Sequence, residues 1–164
     1  VIFFALLVSF SLFSYEPVKE FSGKWHSLRA ARKLSLYLSM LKTKAITDQV
    51  GYEARFILPN KIEVYEVSSC GPMASVKKLW DLSLNDFAPD VEFADEKWVR
   101  DVMASTDPVL PRFCYDPLNG SNVFADGLAQ GAVFLASKKD IHDKREDHAV
   151  QLYIEGASGD FRFE

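Results

Sequence analysis

Residues 1–15, VIFFALLVSFSLFSY, contain no charge, no Gly and no Pro. The run shows neither the two-residue alternation of a half-buried strand nor the one-sided stripe of a surface helix. It reads as a helix that is apolar all round. At ~1.5 Å per residue it extends about 22 Å, against the ~30 Å of a bilayer's hydrocarbon core. The first charge is Glu16, and Pro17 follows it. From residue 27 the period is helical and one-sided. Ala31, Leu34, Leu38, Leu41 and Ala45 recur at steps of three and four, with Tyr37 beside them; Arg29, Arg32, Lys33 and Lys42 fall mostly off the stripe. The pattern fades at Thr47 and Asp48, and Gly51 is a natural stop. Pro17 and Gly23 lie between the two helical pieces and predict a kink or a frayed turn there.

Beyond Gly51 the period shortens. Residues 52–58 and 62–67 alternate and are rich in Val, Ile, Tyr and Phe, with Pro59, Asn60 and Lys61 between them, which predicts a hairpin. Residues 76–84 fit a strand or a short helix, and 95–103 a helical turn or two. Residues 113–115 and the apolar run 132–136 fit strands. Residues 138–147 read as a charged loop, and 150–154 with 160–163 as a closing hairpin. Helix first and strands after argues for an α+β fold. A long N-terminal helix, its first half membrane-anchoring, packs on an antiparallel β-sheet. Two units follow: a hydrophobic membrane and assembly helix over 1–22, and a globular domain over 23–164.

Composition narrows the function classes. The chain has 164 residues, 48% of them hydrophobic, enough for one domain with a real core. Its net charge is −4 and it has no block of five like charges, so no nucleic-acid partner is expected. The apolar run has no basic flank ahead of it, unlike a signal peptide. The preferred reading is a membrane anchor that begins upstream of Val1. The competing readings are a truncated signal peptide and a buried core helix.

Candidate chemistry adds little. His142 and His148 sit among Asp140, Asp143, Glu146 and Asp147, and His26 stands apart; their spacing matches no metal motif, so a solvated loop is expected. The stretch DPLNGSNVFAD over 116–126 offers oxygen ligands but lacks the EF-hand spacing, and reads as turn chemistry. Asp95 and Glu96 ahead of Trp98 read as a helix start. There is no Gly-x-Ser-x-Gly elbow and no phosphate-cradling loop. No catalytic residue, metal or cofactor is assigned, and the chain is read as a non-enzyme. Cys70 and Cys114 form no Cys-x-x-Cys pair. They either bridge, as an exported protein allows, or remain buried thiols.

An uncharged apolar helix, a proline, an amphipathic helix ending near KAITDQVGYEARF, and a β-rich remainder closing on AVQLYIEGASGDFRFE together resemble the type IV pilins and type II secretion pseudopilins. The remainder is most similar to the minor pseudopilins of the GspH and FimT kind. Aligning that family's helix proline with Pro17 places its N-terminal glutamate just ahead of Val1. The resemblance implies a bacterial inner-membrane protein with a periplasmic pilin-like domain, working as a filament subunit. Its partners would be other pilin-like subunits, the membrane, a prepilin peptidase and an assembly platform. Val1, Phe4, Leu7, Val8, Leu12 and Pro17 would form the membrane and assembly helix, and Ala31, Leu34, Leu38, Leu41 and Ala45 the packing face toward the sheet. A rival resemblance rests on FSGKWHSL, which is similar to the start of a lipocalin. Gly23 and Trp25 would then open a ligand-binding barrel in a secreted protein, although a helical pattern follows where such a barrel needs strands.

Overall fold

The computed structural model describes residues 2–70, 75–118, 121–123, 130–155 and 161–163. For 2–22, 121–123 and 130 it describes the backbone path alone. The fold is α+β. A single helix, α1 (Ile2–Asp48), is followed by strands that form two antiparallel sheets. The helical backbone runs through Pro17 and Gly23 as one long helix; of the kink or frayed turn expected there, the frayed turn is absent. Proline removes one backbone donor and crowds one carbonyl, a local penalty that the turns on either side can span.

The first sheet has the order β3 (Val76–Ser83), β2 (Lys61–Val67), β1 (Gly51–Ile57), β5 (Arg112–Asp116) and β6 (Ser121–Val123). The β1–β2 hairpin pairs Gly51 with Val67 through Ile57 with Lys61, around a turn at Pro59. Its alternation divides the chemistry. Tyr52, Ala54, Phe56, Ile62, Val64, Phe113 and Tyr115 are buried in the core. Arg55, Glu63 and Arg112, which alternate with them, share the opposite face. Residues 76–83, ambiguous by period, are an edge strand, with an irregularity at Val64 and Tyr65.

The second sheet has the order β4 (Val91–Phe93), β7 (Gln130–Ser137), β8 (Val150–Glu155) and β9 (Phe161–Phe163). One sheet was expected, and the strands divide between two. The reason lies in β7, which is covered on both faces. Val133 and Leu135 join the main core with α1, while Ala132, Phe134 and Ala136 pack with Trp98 and Val99 of the short helix α2 (Glu96–Asp101). A strand buried on both sides needs an unbroken apolar run rather than alternation, and 132–136 is such a run. Asp95 caps α2, accepting from the Trp98 backbone N–H at 2.6 Å.

The segment 138–147, expected to be a loop, begins with a third helix, α3 (Lys138–Asp143). Ser137 caps it by accepting from the Asp140 backbone N–H at 3.1 Å. Dense charge hides Asp140, which is fully buried, and beside it Ile141 packs against the cluster around Trp98.

Cys70 and Cys114 are joined, with Cα atoms 5.8 Å apart across 44 residues of chain. The bridge fastens the segment after β2 onto β5, two strands away in the sheet order. A loop of this length removes about 4 kcal/mol of unfolded-state entropy in the chain-entropy picture. Replacing both cysteines with serine should therefore lower unfolding free energy by about 2–4 kcal/mol, read from denaturant midpoints under non-reducing conditions. Reductant should bring the native protein to a similar midpoint and leave the double variant unmoved.

Candidate assembly surface

Helix α1 carries two opposed faces. Ala31, Leu34, Leu38, Leu41 and Ala45 are all fully or almost fully buried, and Ser27, Ala30 and Ser35 share their side. This stripe meets β7 and β8 of one sheet and β1 and β5 of the other. Tyr37, at its margin, accepts a hydrogen bond from Trp80 Nε1 at 2.5 Å and lies against the Phe87 ring. Burial raises the Tyr37 hydroxyl above its ordinary pKa, although the Trp80 bond opposes that shift.

On the other side lie Trp25, Arg29, Arg32, Leu36 and Met40, spaced by four, three, four and four residues. At ~100° per residue they form one line, directly across the helix from the buried stripe. Leu36 is 69% exposed and Met40 50%. The stripe read from the sequence includes neither of these two.

Residues 1–15 as side chains lie outside the described residues, and with them Val1, Phe4, Leu7, Val8, Leu12 and Pro17. Among the described residues no helix is long and apolar enough to cross a membrane. Gly23 and Trp25, which a lipocalin would hold in a barrel strand, are in α1.

The charged segment after β7 is not simply solvated. Asp140 is buried, and His148 Nδ1–H donates to its Oδ2 at 2.6 Å, while Arg145 donates to Oδ1 at 3.3 Å. A carboxylate taken out of water needs such partners. The His148 ring lies over α1 at Gly23, so closely that a Cβ built there would sit 2.8 Å from two ring atoms. The glycine thus serves a close approach, with the helix intact. His148 Nε2 and Ser27 Oγ are buried without a partner among the described residues. His142, by contrast, is exposed and contacts Asp143 at 2.9 Å. In the 116–126 stretch, Asp116 Oδ1 accepts from the Leu118 backbone N–H at 2.9 Å, a local turn bond. Among the described residues no group of three His, Cys, Asp or Glu side chains is placed to hold a metal ion.

The outer face of the first sheet holds an ion-pair lattice. Lys61 and Lys78 reach Glu63 at 2.7 and 2.8 Å, and both also meet Asp81. Bonds from Lys61, Lys78 and Tyr65 hold the Glu63 carboxyl down to about 2. Nearby, Glu53 is buried between Arg55 and Arg112, and the Arg55 guanidinium stacks 4.2 Å over the Tyr65 ring. Every carboxylate here is matched by cations, which suits a stable sheet face and offers no unpaired acid or base. No protein-family model, curated protein or solved structure matches the chain.

The contact between Gly23 and His148 is open to test. Gly23→Ala should lower stability by about 1–3 kcal/mol, because the ring base must move and the helix backbone cannot. Adding His148→Ala should cost less in that background than in the native chain, since the clash is already gone. Chemical denaturation of the four proteins measures the coupling; strict additivity would mean that the two residues do not touch.

Proposed function

We propose that this protein is a structural, non-enzymatic subunit of a bacterial type IV pilus-like or type II secretion filament, a minor pilin or pseudopilin. Residues 1–22 hold it in the inner membrane before assembly, with the domain of residues 23–164 in the periplasm. In the filament the same apolar segment packs against its counterparts in neighbouring pilin-like subunits. Removal of a leader by a prepilin peptidase and extraction by an assembly platform belong to this reading.

One observation supports it above the others: a single continuous helix, Ile2–Asp48, joins a run of 15 uncharged residues to a stripe packed on both sheets. Any lateral force on the apolar half would be transmitted to the domain through helix rather than through a loose linker. The apolar half has no polar face, so its partners are lipid tails or other apolar helices.

The experiment compares Leu7→Lys with Asp143→Lys. A lysine at mid-membrane depth costs about 2.5–3.5 kcal/mol on insertion scales, and in a helical bundle it would be an unpaired charge. Leu7→Lys should abolish membrane residence and filament incorporation while leaving the melting of the outer domain unchanged. Asp143 lies in an exposed charged segment, so Asp143→Lys should assemble as the native protein does. Equal, native-like assembly by both variants would mean that residues 1–15 are only a leader.

A further inference from the structure

Between residues 23 and 47, α1 carries six Lys and Arg and no acidic residue. Lys44 pairs with Asp48 at the C-terminal end of the helix. Arg29 and Arg32 are exposed and make no ion pair among the described residues, and they continue the line of the exposed Leu36 and Met40. Such a line has apolar area for contact and cations for orientation, and within its own chain it faces away from both sheets.

The opposite charge is gathered elsewhere. Residues 86–107 hold seven acids, Asp86, Asp90, Glu92, Asp95, Glu96, Asp101 and Asp107, against two bases, a net of −5. The segment runs along β4, which pairs with β7 alone and is therefore an edge of the second sheet, and continues through α2. Glu92 and Asp101 make no ion pair among the described residues, whereas Glu96 is taken by Arg100. The acidic edge borders the second sheet, while Arg29 and Arg32 line the far side of the helix. One chain does not bring the two surfaces together.

We propose that the exposed stripe of α1 docks on the acidic β4–α2 edge of a second copy of this chain. The inference rests on the filament reading above and names the subunit contact. Charge complementarity selects the occupant: Arg29 and Arg32, which make no ion pair among the described residues, meet a segment of net −5, while like surfaces repel. Because the two surfaces differ, the contact is heterologous. Each copy keeps one of each free, so association propagates head to tail rather than closing as a two-fold dimer. Leu36 and Met40 supply the apolar centre, and the arginines form a rim that steers approach.

The test uses the full chain in detergent micelles, with self-association followed by sedimentation. Four proteins are compared: native, R29E/R32E, E92K/D101K, and the combination of all four changes. Each double reversal should weaken association at least about tenfold, and the combination should restore it to within about threefold of native. Native association should also weaken between roughly 50 mM and roughly 500 mM salt, as screening shortens the reach of the charges. Association that ignores both reversals and salt overturns the proposal and leaves the filament reading standing. The same holds if R29E/R32E loses binding to phosphatidylserine vesicles while self-association is unchanged, because the occupant would then be an anionic lipid surface. A native chain that does not self-associate at any concentration contradicts both.

Discussion

One face of one helix closes two sheets. Among the described residues no strand of one sheet pairs with a strand of the other, a bridge from Val109, ahead of β5, to Ala132 of β7 apart, and what lies between them is the stripe from Ala30 to Ala45 on α1. Leu34, Leu38 and Leu41 are each fully or almost fully buried there, and each such side chain contributes about 1.5–3 kcal/mol by leaving water. The Phe56 and Phe93 rings, 5.5 Å apart, add a direct contact between the sheets. The turn at Pro59 adds another, accepting from the Phe93 backbone N–H at 2.8 Å. Without the stripe, both sheets would expose their inner faces.

That constraint orders the remaining features. Because the helix must lie flat on β7 and β8, the segment entering β8 crosses it closely, and Gly23 is where His148 fits. Burying Asp140 beneath that crossing requires the donors His148 and Arg145. Because β7 has α1 on one side, its other side needs α2, which in turn exposes the acidic β4–α2 edge. The domain therefore presents a basic helix back and an acidic sheet edge as consequences of how its core is closed.

The α+β class, the β1–β2 and β8–β9 hairpins and the inward positions of α1 were legible in the sequence, because period alone carries them. Ala31 through Ala45 follow the helical repeat, and 52–58 follow the strand repeat, with little interference. The division into two sheets was not legible. A strand covered on both faces, such as 132–136, shows no alternation, so it does not reveal which sheet it joins. The short helix α3 and the burial of Asp140 were hidden for a different reason. The partner of Asp140, His148, lies eight residues on, and its ring in turn rests on Gly23 of α1; no local pattern records such contacts. Leu36 and Met40 fall off the α1 stripe in the sequence as well; that their side of α1 stays exposed is set by where the two sheets lie.

The central claim is that the stripe, and not the helix as such, holds the domain together. The direct measurement is denaturant unfolding of Leu38→Ala beside Leu36→Ala, two residues apart on the same helix with the same chemical change. Leu38 is fully buried, so its loss should cost about 2–5 kcal/mol, with both sheets unfolding in one transition. Leu36 is 69% exposed, and its loss should change stability by no more than about 0.5 kcal/mol. Equal effects at the two positions, or a second sheet that stays folded in Leu38→Ala, would contradict the claim.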